Sequence, residues 1–391
     1  MLMDPKGNAP NSKGNVVNRY YQASDIVTAP NAPDIPFAPN FTGNTPGANY
    51  TYDASVVDPA GINYQFFNTL GQFTTVINGI DAETNGHSTG SRNAWSGRLT
   101  QGTPAFAALL AASIAGELPM SFITNGGYDY TGGYVAPTRV GDPNSLQALI
   151  QPNRINPNNE DSALYHTEET MARINKARQA RVAAKQEIQN LPRLSNALSL
   201  LYTSRLGMAD LKKINQFLPD DLGNGLARQA SIALAAFAAW LTQCANLSTG
   251  GFDTHGNNTN GQSNRQAILL QGVLDLFSRA QAMGIREKLV VMVGSDFGRS
   301  FKINDGNGKD HWSVTSTMLI SEQLPGNRVV GASTDAGLAE KISFTSFKPD
   351  AAGATLKHGH VHKWLRKWAG IEDAEAVKLF PLKAEGSIDL G

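Results

Sequence analysis

The stretch Lys288-Leu289-Val290-Val291-Met292-Val293-Gly294 constrains this chain most. Its apolar side chains follow one another without a polar face, which reads as a strand buried on both sides, the habit of a parallel sheet. The run ends in Ser295-Asp296-Phe297-Gly298-Arg299. Open α/β sheets keep their chemistry at the carboxyl ends of such strands, which draws attention to Asp296.

Two further segments share that character: Gly250-Gly251-Phe252-Asp253-Thr254-His255 and Gly308-Lys309-Asp310-His311-Trp312. Carboxylates and imidazoles are the ligands that divalent zinc, manganese or iron accept. Asp253 and His255 lie two apart, so in an extended segment both leave the same face, about 6.5 Å apart. Asp253, His255, Asp296 and His311 are therefore the candidate metal ligands. Arg299 and Lys309 flank them and are candidates for holding an anionic substrate group. The plainer readings stay open beside these. Asp253 could cap loop amides, Asp296 could cap the turn after its strand, and His311 could be a satisfied polar neighbour of Trp312.

The chain has 391 residues, with hydrophobic content of 41% against 17% charged, enough for a sizeable core. Its 33 basic side chains balance 33 acidic ones. That balance gives no drive toward nucleic acid or an anionic membrane. No run reaches the roughly 18 apolar residues of a membrane span, and no Walker-type loop or GxGxxG motif follows a strand. A lone Cys244, set in an apolar helical pattern, excludes a disulfide framework.

Pattern reading gives surface loop over 8–60, a helix over 61–70 and a strand over 73–77. A helix over 105–115 and a buried strand over 118–124 follow. Residues 142–221 shift to Arg, Lys, Gln and Glu and read as a helical insertion, including a helix over 167–189 with a solvated face. Beyond it come helices over 226–246 and 263–283, strands over 288–293 and 314–320, and a tail helix over 361–369. His358, His360 and His362 read as a solvated cluster and His166 as a surface residue. The alternation argues for an α/β layered fold with a largely parallel sheet.

Taken in order, these three segments resemble the DUF1501 family, which is placed in the alkaline phosphatase/sulfatase superfamily. Asn78-Gly79-Ile80-Asp81, Thr84-Asn85-Gly86-His87 and Gly90-Ser91-Arg92 resemble it too. The resemblance spans nearly the whole chain and implies one alkaline-phosphatase-like three-layer α/β/α sandwich over 1–391. It implies a hydrolase of phosphate or sulfate esters that uses a divalent metal ion (zinc, manganese, calcium or magnesium) on a small anionic ester. The contrasting expectation is a non-catalytic surface or binding protein that keeps the fold.

By the same resemblance Asp253, His255 and His311 hold one ion and Asp296 the same or a second. Phe297 stands where many superfamily members carry His. Ser88-Thr89-Gly90-Ser91-Arg92 is similar to the sulfatase nucleophile segment. It makes Ser88 a candidate nucleophile and Arg92 its anion partner, with His87 a further catalytic candidate. Family members are commonly exported, and they open with a strand ending in a Gly-Gly-Trp-Asp-like motif. Here Asp4-Pro5-Lys6-Gly7-Asn8 follows Met1-Leu2-Met3 directly, so that strand is expected to be missing.

Overall fold

A computed structural model describes residues 9–10, 16–17, 27–37 and 59–391, apart from 116–117, 141, 192–193, 195–196, 202–206, 301–302 and 335–336. The segment 4–8 lies outside the described residues. The chain divides into two compact units, one of residues 1–101, 249–368 and 381–391, the other of 102–248 and 369–380.

The first unit is built on a four-stranded sheet in the order Arg328–Val330, Thr74–Asp81, Val314–Ile320, Val291–Val293. Thr74–Asp81 and Val314–Ile320 are its centre, rich in β-branched residues that suit a pleated surface covered on both sides. Val76, Ile77, Ile80, Met318, Leu319 and Ile320 are buried there. Arg328–Val330 runs parallel to Thr74–Asp81, but Val314–Ile320 is antiparallel to both of its neighbours.

The Val-rich run therefore forms a half-buried antiparallel strand, Val291–Val293, and not the parallel one its composition suggests. An apolar run reports burial and not direction. Direction follows from the connection, and a parallel return needs a crossover, usually a helix. The described residues of 294–313 contain none: they turn back as an irregular connection with one short pair, Gly298–Arg299 against His311–Trp312. The sheet of this unit is mixed.

Helix Pro59–Leu70 buries Ile62, Phe66, Phe67 and Leu70 on one stripe and packs on helix Asn258–Ala282, whose inner face carries Ala267, Leu270, Leu274 and Phe277. Within the stretch read as loop, Val27–Ala29 and Ala32–Phe37 form a hairpin with Ala29, Ala32 and Ile35 buried. Apolar residues spaced among prolines give too weak a period for sequence reading to detect.

The second unit holds a three-stranded parallel sheet, Pro137–Arg139, Phe122–Thr124, Cys244–Asn246, with Phe122–Thr124 in the middle. Helix Gly225–Ala238 stops well before the predicted residue 246, and Cys244 sits on a strand. Trp240 takes a left-handed φ of 58° while Leu241 donates its N–H to the Ala236 carbonyl, the closure that usually falls to glycine. Without a Gly or Pro to mark the stop, the alanine-rich pattern runs through it. Helix Glu168–Glu187 begins as expected, with Thr167 accepting from the Thr170 N–H, and buries only Val182. Among the described residues no helix is long and apolar enough to cross a membrane.

Helix His358–Trp368 overturns the expectation of solvated histidines. His358, His362 and Arg366 recur every four residues along one buried face, and His360 is buried too. His362 Nε2 donates to the Ala94 carbonyl, near the end of helix His87–Ser96, while neither ring nitrogen of His358 has a hydrogen-bond partner among the described residues. Burial, reinforced by His362, pushes His358 down to about 3, and burial pushes His362 down to about 4. In the unfolded chain both take up protons near 6.5. Between these limits unfolding binds protons, so the stability contributed is full above about pH 6.5 and is lost as pH falls toward 4. Thermal melts from about pH 7 down to about pH 4.5 should show a falling midpoint, and His358→Leu should flatten that fall. A midpoint unchanged over this range would contradict the assignment.

Candidate metal centre

Register brings three connections to one edge of the first unit's sheet. Asp81 pairs with Val314 and Val293 with Met318, so the exits of two strands and the entry to Val314–Ile320 face the same way. The exit from Asp81 leads to His87, the first residue of helix His87–Ser96. The exit from Val293 leads to Asp296, and His311 immediately precedes the third strand.

Asp253 and His255 reach the same edge on the loop before helix Asn258–Ala282. This loop is fastened to residues 304–310. Lys309 donates its N–H to the Thr254 carbonyl (3.0 Å), Asn258 to that of Asn307 (2.9 Å), and the Asn304 amide to that of His255 (3.1 Å). The approach is so close that a Cβ on Gly308 would stand 1.8 Å from the His255 oxygen. Gly90 serves the opposite wall in the same way, since its Cβ would stand 2.6 Å from the Asp296 oxygen.

Three imidazoles converge on the Asp253 carboxylate. His255 Nε2 and His311 Nε2 each lie 3.1 Å from Oδ1, and 3.0 Å from one another. His87 Nε2 lies 3.4 Å from Oδ2. Each ring is held from behind at Nδ1. His87 donates to Asp296 Oδ2 (2.6 Å), His311 to the Asn85 carbonyl (2.8 Å) and His255 to Asp310 Oδ1 (3.3 Å). For His87 and His311 the contact at Nδ1 is shorter than the one Nε2 makes with Asp253, which assigns their ring protons to Nδ1 and turns their Nε2 lone pairs inward.

The inward side is thus a cluster of acceptors a little over 3 Å apart. Arg299, buried beside it, is a donor, giving one N–H to Asp253 Oδ1 and another to the Lys309 carbonyl. Its hydrogen bond holds the Asp253 carboxyl well below the usual carboxylate range. The Asn304 amide and then His255 lower Asp310 in the same way.

His87, Asp253 and His311 offer ligand atoms within 4.8 Å of one another, a group that could hold a metal ion. The contacts of His255 place it in the same cluster. Phe297 is buried as a wall, its ring 4.8 Å from that of His87 and 4.3 Å from that of His311.

Of the other sequence candidates, Asp296 meets the cluster through His87, and Arg299 meets it directly. Lys309 is buried and enters through its backbone. Ser88 and Arg92 lie on the His87 helix but are not tied to the cluster: Arg92 donates to the Leu99 carbonyl, and the Ser88 side chain is exposed and makes no hydrogen bond among the described residues. Asp310, Asn304 and the Asn85 carbonyl escaped sequence reading. Asp310 carried a signal, as a carboxylate adjoining a candidate ligand. A backbone carbonyl carries none.

The family model described as "Protein of unknown function (DUF1501)" matches residues 67–350, well over half of the chain. The chain belongs to the DUF1501 family. No curated protein matches it. The DUF1501 match takes in every residue of the cluster, from His87 to His311.

Packing of the two loops of this DUF1501 protein can be tested by backbone substitution. Gly308→Ala should cost about 1–3 kcal/mol, the usual penalty of forcing a backbone shift. Gly306→Ala, whose Cβ would meet nothing closer than 3.5 Å, should be near neutral. Urea unfolding of both variants measures the difference, and equal stabilities would refute the close approach.

Proposed function

We propose that this DUF1501 protein is a metal-dependent hydrolase of phosphate or sulfate esters, on an alkaline-phosphatase-like scaffold. Asp253, His255 and His311 would hold the ion, with His87 as a further ligand. One observation carries the reading: the Nε2 atoms of three imidazoles converge on one carboxylate, with 3.0–3.4 Å between neighbouring atoms. Arg299 offsets the charge of the carboxylate, but it does not occupy the ring nitrogens gathered around it. Protonating all three rings would crowd like charges instead. The donor set therefore fits a divalent ion, and three imidazoles suit zinc, manganese or iron better than calcium or magnesium, which favour oxygen.

Two features support catalysis over a purely structural ion. The side chains of Asp253, His255 and His87 are each 50% exposed, and catalytic metal sites keep an open side where structural sites are closed. Beside them the His87 helix begins at Gly86 with no side-chain cap, leaving first-turn N–H groups for an anion. A metal bound here supplies polarisation of the ester oxygen and a more acidic water. Arg299 keeps Asp253 ionised, Asp296 holds His87 in place, and the uncapped helix start orients the anionic group. The ester class and export to the periplasm or cell surface rest on the resemblance.

A second reading, a binding protein that keeps the ion, is favoured by one observation: among the described residues no base is hydrogen-bonded to the Ser88 side chain. Metal analysis of purified protein and assays on para-nitrophenyl phosphate and sulfate separate the two. We expect bound zinc, manganese or iron, lost in His255→Ala and in His311→Ala. Ser88→Ala should keep the metal, and it should lose turnover only if Ser88 is the nucleophile. Bound metal without turnover of either ester favours the binding protein, and protein that takes up no divalent ion refutes the metal centre.

A further inference from the structure

We propose that Asp296 and Asp310 are positioning residues of the metal centre, each acting through one imidazole and neither as a ligand. This rests on the metal reading above and extends it to the groups behind the ligands. Metal-binding histidines are typically held at their other ring nitrogen, and that contact fixes which nitrogen carries the proton.

Asp296 has its oxygens committed. Oδ1 accepts from Ser295 Oγ (2.9 Å) and the Phe297 N–H (3.0 Å), while Oδ2 accepts from His87 Nδ1 at 2.6 Å. Its place at the end of an apolar strand suggests a ligand. Its hydrogen bonds describe a support whose oxygens are turned to the protein and not to the cluster. The Gly90 backbone meets the Asp296 carbonyl closely, so support and supported helix are in register.

Asp310 is the counterpart for His255. Oδ1 accepts from His255 Nδ1 (3.3 Å) and from Asn304 Nδ2 (3.1 Å), and the same Asn304 amide donates to the His255 carbonyl. Asn304 is itself fixed, its Oδ1 accepting from the Gly306 and Gly308 N–H groups (3.0 and 2.8 Å). Asn304 thus ties Asp310 to the loop it orients. Asp310 is 63% exposed, so removing it leaves no cavity and no buried charge.

The test reads the tautomer directly. With seven histidines in the chain, two-bond proton–nitrogen spectra of the full-length protein labelled with ¹⁵N-histidine resolve each ring. His87→Gln and His255→Gln assign two of them. In chelator-treated wild type at mildly alkaline pH, both rings should be protonated at Nδ1. Asp310→Ala should release His255 to a mixture, leave His87 unchanged, and weaken zinc binding about 10–100-fold in competition with a chromogenic chelator. Asp310→Asn, which keeps an acceptor oxygen, should recover part of that loss. Asp296→Ala should do the same to His87.

Protonation of His87 and His255 at Nε2 in wild type would overturn the proposal. Full zinc affinity in Asp310→Ala, with wild type binding normally, would overturn the positioning role and leave the metal reading intact. Wild type that binds no zinc despite the expected tautomers would overturn the metal reading, and the positioning role with it.

Discussion

Everything around the site is arranged about one carboxylate. Asp253 draws three imidazoles and a guanidinium to within contact distance, and the guanidinium is the donor whose role is fixed by its chemistry. A lone buried cation would be costly, so Arg299 and Asp253 need one another before any ligand arrives. The imidazoles are a different case. They carry no permanent charge, unlike the guanidinium, and they converge on an anion. Their orientation is maintained from outside by Asp296, Asp310 and the Asn85 carbonyl. Structure is thus invested in holding lone pairs together, which is the condition for binding a cation strongly.

Much of this was legible from residue types. Asp253, His255 and His311 stand in short glycine-flanked segments, and the fold brings them together because those segments are loops fastened to one another. Asp296 was legible as a site residue from its place after an apolar strand, but not the direction of its oxygens. That depends on the N–H of Phe297 and on a helix far back in sequence. The antiparallel course of Val291–Val293 was hidden because an apolar run has no polarity. The end of helix Gly225–Ala238 was hidden because a tryptophan does the work of a glycine. The histidines of 358–362 misled because alternation of polar residues normally means solvent, and here all three are buried, His362 against helix His87–Ser96 and His360 against the Glu385 carbonyl.

Phe297 joins sequence and site. A phenylalanine cannot be a ligand, but its ring abuts two that can. It excludes water from the rear of His87 and His311 and limits how far either ring can rotate. His87 arrives from the opposite wall, so the number of nitrogen donors near the carboxylate does not follow from the strand-end motif alone.

Helix His87–Ser96 carries the ring of His87 on its first residue, while Ala94, near its last, is gripped by buried His362. From His87 to Ala94 the helix is a rod that rises about 10 Å. A rotation of roughly 6° about the gripped end would move the tip by about 1 Å, nearly a third of the 3.4 Å that separates His87 from Asp253. The rod is a lever, and its fulcrum is a contact with a helix beyond residue 350, where the family match ends. Geometry at the carboxylate is therefore answerable to packing at the far end of the rod, and a methyl group gained or lost beside His362 would be felt at His87 as displacement.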